Sequence, residues 1–268
     1  MGKFENKVVI VTGSSAGIGQ ATAILFAQEG AKVTIHGQSV ERLQETQKHM
    51  LNAGAKPENI LIVKGSVEDE EVLKNIIEET VIRFQQIDVL INNAGAVQKP
   101  GLTDANSLEN FNFIMNVNLK SVVNLTQLAL PYLEKTKGNI INISSIQSLK
   151  AYPPTCYYAL SKAALDHFTR NCAVMYGPKG IRVNSLNPGF IETLVRKRVG
   201  MTDEMDKQYF ETVVKPSTPL GRSAMPIEMA KILIFLASED ADFITGSIVV
   251  ADGGLIVHPG VNLDVKMQ

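Results

Sequence analysis

A chain of 268 residues suffices for one large domain or two small ones, and an apolar content of 45% is ordinary for a globular protein with a full core. Its 26 basic and 27 acidic residues leave a formal charge of -1, which argues against electrostatic capture of nucleic acid or of an anionic membrane. Two cysteines, Cys156 and Cys172, are too few for a disulfide scaffold; with a polar start at Met1 to Asn6 and no apolar run of about 18 residues, a cytoplasmic protein without a membrane span is expected.

Val8–Thr12 (VVIVT) is apolar on both faces, as a central parallel strand must be. A helix over Ile18–Gln28 follows, with Ile18, Ala21, Leu25 and Ala27 near helical spacing and Gly30 as its stop. The turn between them reads Thr12-Gly13-Ser14-Ser15-Ala16-Gly17-Ile18-Gly19. Its glycines permit a tight turn and a close backbone approach to a pyrophosphate, toward which the helix would aim its N-terminal amides and dipole. No Gly-Lys-Ser/Thr follows, so a Walker loop is excluded. Next come a strand at Lys32–His36, a helix at Val40–Met50, a strand at Ile60–Gly65, a helix at Val67–Phe84 and a strand at Ile87–Ile91. The second half predicts helices over Asn116–Leu133, distorted near its end by Pro131, over Tyr158–Tyr176, stopped by Gly177-Pro178, and over Met225–Leu236. Strands are predicted at Asn139–Ser144, Ile181–Leu186 and Ser247–Ala251.

This alternation predicts an α/β, doubly wound fold: about seven parallel strands with helices on both faces, in a single domain over residues 1–268. Only residues 190–221 break the pattern. They are mixed, charged and long for a connection, and are the candidate substrate lid.

Further signals accompany the glycine turn. Asn92-Asn93-Ala94-Gly95 follows the fourth strand, and Tyr158-Ala159-Leu160-Ser161-Lys162 puts a tyrosine and a lysine four apart. Ser145 lies 13 residues before Tyr158, Asn118 sits in Val117-Asn118-Leu119, and Pro188-Gly189 closes the sixth strand. In order, over nearly the whole chain, these residues resemble the short-chain dehydrogenase/reductase family, with its TGxxxGIG, NNAG and YxxxK patterns. The resemblance implies a Rossmann-like domain, a nicotinamide cofactor, a homotetramer, and hydride transfer between the cofactor and a small ketone or secondary alcohol. It implies Asn118, Ser145, Tyr158 and Lys162 as the catalytic residues. It places the cofactor against Gly13, Ser15, Gly17, Ile18 and Gly19, then Asn93, Ala94 and Gly95, then Tyr158 and Lys162, and finally Pro188, Gly189, Ile191 and Thr193.

The chemistry explains the tyrosine–lysine spacing. A free tyrosine, with a pKa of about 10, holds its proton too tightly for reversible transfer near neutrality. An ammonium one helical turn away, on the same face, favours the phenolate. Ser145 would position the substrate oxygen by a hydrogen bond. As the resemblance has it, Lys162 also holds the nicotinamide ribose and Asn118 a water that links Lys162 to solvent. Each residue has a neighbour of the same type: Ser144, Tyr157 and Asn116. Tyr157 lacks a lysine four residues on, because position 161 is serine. Cys156 reads as a packed or pocket-wall residue, His36, His49, His167 and His258 show no ligand spacing, so no metal is expected, and Arg196-Lys197-Arg198 reads as a solvated loop.

Two features depart from the family pattern. At the end of the second strand, where an acid would bind the ribose of NAD and a base the 2′-phosphate of NADP, stand Gly37 and Gln38, and Ala16 replaces a basic residue before Gly17. With no carboxylate to repel a phosphate, and with Gln38, Ser39, His36 and Arg42 available to bind it, the balance favours NADP over NAD. Ser66 replaces the aspartate that many relatives place beside the adenine, and can still make one hydrogen bond there. A rival reading, a non-catalytic dinucleotide sensor, has no need of the complete Ser145–Tyr158–Lys162 set. A longer-chain epimerase or dehydratase is disfavoured by the short chain and the glycine spacing. The lid and the wall at Leu149–Pro154 should select the substrate.

Overall fold

The computed structural model describes residues 2–194 and 200–258. Seven strands form one parallel sheet in the order β3-β2-β1-β4-β5-β6-β7. They are β1 (Val8–Val11), β2 (Lys32–Gly37), β3 (Ile60–Lys64), β4 (Val89–Asn92), β5 (Asn139–Ile143), β6 (Arg182–Pro188) and β7 (Ile248–Ala251). The chain winds outward from β1 to β3, then crosses back to β4 and winds the other way. That reversal opens a crevice at the carboxyl ends of β1 and β4, where ligands of such sheets bind.

Helices cover both faces. α1 (Gly17–Gln28), α2 (Val40–Asn52) and α8 (Pro226–Ala237) pack on one; α3 (Glu70–Phe84), α5 (Ser121–Thr136) and α6 (Cys156–Tyr176) pack on the other. All four residues of β1 are fully buried, and the two-residue period of a strand divides them. Val9 and Val11 join Phe26, Leu43 and Leu233 in one core, while Ile10 joins Ile76, Leu125 and Leu133 in the other.

The structure departs from the sequence reading in three places. An unexpected helix α4 (Leu108–Met115) precedes the long helix, entering it through a π-turn at Asn116–Lys120. Its asparagines are poor helix formers and hide it in the sequence; Ser107, accepting the Asn110 N–H, starts it. α5 runs on through Pro131 to Thr136, so the expected distortion does not shorten it. α3 begins at Glu70 rather than Val67, because Asp69 caps it by accepting the Glu71 N–H.

The candidate lid is largely helical in its described part. α7 (Asp203–Tyr209) continues through a π-turn at Phe210–Val214 and a last turn at Lys215–Ser217. The Arg196-Lys197-Arg198 run lies outside the described residues. No helix among the described residues is long and apolar enough to cross a membrane.

Phe26 is fully buried on α1 and meets Phe4 edge to face, with ring centroids 4.8 Å apart. Phe26→Ala removes that contact and leaves a cavity, and is expected to cost about 3–5 kcal/mol. Urea unfolding would read it as a lower midpoint at unchanged slope.

Candidate active site

The crevice is built by two loops that lock together. Gly13 (φ 64°) and Gly17 (φ 59°) lie in the left-handed region that glycine tolerates. A Cβ on Gly19 would fall 2.4 Å from Asn93 Nδ2 and one on Gly13 2.9 Å from Ala94 Cα, so larger residues would force the loops apart. Asn93 Nδ2 donates to the Thr12 and Gly13 carbonyls at 2.7 and 3.1 Å, and the Asn93 and Ala94 amides donate to Thr12 Oγ1, each at 3.0 Å. Ser39, Asp69 and Ser107 cap α2, α3 and α4 with side-chain oxygens, but Ala16 gives α1 no such cap, and α1 has no acid in its first turn. This glycine-lined, uncapped helix start fits a pyrophosphate.

The second cluster converges on α6. Lys162 is 3% exposed; its Nζ donates to the Ile143 carbonyl at 2.7 Å and lies 5.6 Å from the Tyr158 ring centroid. The strand end separates the two serines. Ser144 Oγ donates to the Lys162 carbonyl at 3.2 Å, whereas Ser145 is hydrogen-bonded to the half-buried Tyr158. The Tyr157 hydroxyl instead donates to the Asn106 carbonyl, and its ring packs on Phe111.

Asn118 is fully buried, and both its amide hydrogens are committed, to the Ala96 carbonyl at 2.8 Å and to Ser161 Oγ at 3.0 Å. Its Oδ1 accepts the Ala96 N–H at 2.8 Å. The side chain therefore anchors the loop after β4, and a relay water cannot be held through its amide N–H groups. Gly95 completes the convergence: a Cβ there would be 3.3 Å from Asn118 Oδ1 and 3.5 Å from Lys162 Nζ. Asn116 instead lines a separate cavity of about 510 Å³ with Lys99, Glu109 and Phe113.

The remaining predicted residues spread along the crevice. Ile18 opens α1 half-buried, Pro188 ends β6, and Gly189 packs on Asp252. Ile191 bridges to Ala224, and Thr193 lies against Gly17, 3.0 Å from a Cβ placed there. A cavity of about 720 Å³ opens beside them, between α1 and α7.

At the far end, Ser15 fills the space beside Gly37, and Gln38 is exposed. Ser66 Oγ accepts the Glu68 N–H at 3.3 Å. Ser39 Oγ accepts the Arg42 N–H and donates to Glu41 at 2.8 Å. The sequence reading found no carboxylate at this end, and Glu41 corrects it: the capped start of α2 folds that side chain back onto Ser39. His36 is corrected too. It is 2% exposed beneath the glycine turn, its Nδ1 accepting the Gly13 N–H at 3.5 Å, and is no surface phosphate ligand. Cys156 is exposed, which rules out the packed alternative and leaves the pocket-wall one, and Cys172 is buried.

A family model described as enoyl-(acyl carrier protein) reductase matches residues 13–256. The chain belongs to the short-chain dehydrogenase/reductase family. It is 37% identical to 3-oxoacyl-(acyl-carrier-protein) reductase FabG of Thermotoga maritima, over 95% of this chain and 100% of that one. It is 34% identical to 7alpha-hydroxysteroid dehydrogenase of Bacteroides fragilis, over 98% of this chain and 100% of that one. A short-chain dehydrogenase/reductase of unknown function from Caenorhabditis elegans, solved with cofactor, superposes at a TM-score of 0.91 with 41% identity, covering 95% of this chain and 97% of that one. The chain is thus an NAD(P)-dependent oxidoreductase of the family, acting on alcohol CH–OH groups or the corresponding ketones.

For this short-chain dehydrogenase/reductase the electrostatics of the cluster are dominated by burial. Burial pushes the Tyr158 phenol above its ordinary 10.0, and the Ser145 hydrogen bond opposes it. The direction is the reverse of the lowering that the tyrosine–lysine spacing predicts, because burial of the phenol outweighs the Ser145 hydrogen bond. Burial likewise brings Lys162 down to about 8, against the pull of Asp166. Among the described residues no three His, Cys, Asp or Glu side chains gather to hold a metal ion.

Burial also lowers His36 from 6.5 to about 4, against a weaker opposite pull from the Gly65 backbone. Below pH 6.5 the unfolded chain takes up a proton that folded His36 refuses, so stability falls with pH until about 4. The slope is about 1.4 kcal/mol per pH unit. His36→Gln is expected to flatten it. Urea midpoints compared at pH 7 and pH 5 should converge for the variant and separate for the native chain; parallel losses would show that folded His36 protonates freely.

Proposed function

We propose that this enzyme interconverts a small ketone and its secondary alcohol with Tyr158 as the general acid/base, in one domain over residues 1–268 whose lid spans residues 190–221. The observation that carries this is the convergence of Ser145 and Lys162 on Tyr158 at the end of β5, linked to the glycine turn by the Asn93–Gly95 loop. Bound NAD(P) supplies or accepts the hydride. Gly13, Ser15, Gly17, Ile18 and Gly19 hold the pyrophosphate end, and Asn93, Ala94 and Gly95 wall the middle. Pro188, Gly189, Ile191 and Thr193 flank the nicotinamide end.

In reduction, Ser145 donates a hydrogen bond that fixes the carbonyl oxygen, and Tyr158 delivers its proton to that oxygen as negative charge develops. Lys162, with a pKa near 8, is mostly an ammonium at neutral pH and stabilises the phenolate that remains. Asn118 keeps the loop after β4 against Ser161, so Gly95 stays over Lys162.

The cofactor reading favours NADP. Gly37 brings no carboxylate to the ribose, and Arg42 and Lys64 both act on Glu41, marking two cations at this end. Gln38 and Ser39 supply hydrogen bonds and Ser66 meets the adenine. Glu41 is an exposed side chain, free to swing from Ser39 when a phosphate arrives. Parallel fluorescence titrations should show NADPH binding at least about tenfold more tightly than NADH, with Arg42→Ala erasing the difference. A preference for NADH would assign Glu41 to the ribose hydroxyls instead.

Tyr158→Phe removes the proton donor while keeping the ring. It is expected to lower kcat by about 10²–10⁴ with cofactor binding intact. A variant that keeps native turnover would sink the acid/base assignment and favour a non-catalytic role.

A further inference from the structure

Tyr158, Lys162 and Asp166 stand on successive turns along one face of α6. The first two belong to the proposed chemistry; the third is 2% exposed. Three donors converge on its carboxylate. Ser148 Oγ donates to Oδ2 at 2.5 Å and Asn187 Nδ2 to Oδ2 at 2.8 Å, and the single Ser185 proton is shared between Oδ1 at 3.1 Å and Asn187 Oδ1 at 2.7 Å. Two of these also hold the Ser145 turn. Asn187 Nδ2 reaches the Ser145 carbonyl at 3.0 Å and Ser148 Oγ at 2.8 Å, and Ser148 Oγ lies 2.7 Å from the same carbonyl. An ionised carboxylate, an acceptor only, suits three donors; an amide in its place would turn N–H groups toward some of them.

We propose that Asp166 is a positioning residue of the reaction: through Ser148 and Asn187 it clamps the turn bearing Ser145 onto the helix bearing Tyr158 and Lys162. Its charge does a second job, keeping Lys162 protonated against burial. The inference rests on the reading of Tyr158 and Lys162 given above. Around Lys162, the groups contributed by neighbouring elements (Ile143, Ser144, Gly95 and Asn118) do not titrate; on its own helix Tyr158 and Asp166 do. Removing the Asp166 charge therefore moves Lys162 toward its neutral form at a lower pH.

The test uses the full chain and needs no known substrate for its first arm. NADPH or NADH, whichever binds more tightly, is titrated by fluorescence from pH 6 to 10. Native enzyme should lose affinity as Lys162 deprotonates near 8. Asp166→Asn should move that limb down by about one unit. Ser148→Ala keeps the charge and should leave the limb in place. With the best ketone from a screen of cyclic ketones, β-keto esters and diketones, both variants should lower kcat about fivefold or more with KM within about twofold, as expected when an interaction made in the transition state is weakened. A limb unmoved in Asp166→Asn, with any rate loss matched by a lowered melting temperature, would reduce Asp166 to a structural tie and overturn the proposal. If Asp166→Asn does not fold, Ser148→Ala decides: native kcat overturns the clamp. Tyr158→Phe run alongside separates the two levels, since native turnover there removes the underlying reading itself.

Discussion

A buried ammonium held by a strand-end carbonyl organises this site. Lys162 crosses from α6 to the Ile143 carbonyl at the end of β5, and that bond fixes helix and sheet in register at the chemistry. An ammonium out of water is costly unless hydrogen-bonded and offset by opposite charge. Both conditions are met, by the carbonyl and by Asp166. The consequences spread outward. Ser144 bonds the Lys162 backbone, which leaves Ser145 beside Tyr158, and Gly95 is small because Lys162 Nζ and Asn118 Oδ1 lie where a side chain would begin.

The opposite end of the crevice obeys a different constraint. There the surface is mostly backbone, and side chains are cleared or turned away, as the proposed pyrophosphate site requires. Ser14 bonds the His36 backbone in both directions, Ser15 covers Gly37, and α1 starts without a side-chain cap, unlike α2 and α3. The remaining ambiguity, ribose hydroxyl or phosphate, falls on Ser39, Glu41 and Arg42, three residues at the exposed start of α2. On the proposed reading, discrimination between the two dinucleotides is a surface electrostatic balance, the kind that salt screens.

The readable part of the sequence was local. Tyr158 and Lys162 four apart on a helix, and glycines between a strand and a helix, declare themselves because their geometry depends on spacing alone. The parallel sheet followed from alternation and burial on both faces, while its strand order came only with the structure. What stayed hidden depends on contacts between distant segments. Ser145 could be preferred to Ser144 only by resemblance, since the choice turns on where β5 ends against Lys162. Asp166, Ser148 and Asn187 are 18 to 39 positions apart and meet only through α6 and β6. Glu41 went unread in the sequence, and only the cap on α2 shows its side chain turned toward Ser39. α4 escaped because asparagines mask its periodicity.

The π-turn at Asn116–Lys120 has a bearing on how this chain can vary in length. A π-turn holds one residue more than the α-helical path beside it, so the helix before it and the helix after it are out of phase by about 100°. That offset lets Asn118 face Ala96 and Ser161 while α5 still presents Leu125 and Leu133 to the core. Deleting a single residue here would heal the helix into a regular one and rotate one half against the other, so that either the loop anchor or the core face is lost. The segment is thus constrained against insertions and deletions by phase, separately from the side-chain contacts of Asn118.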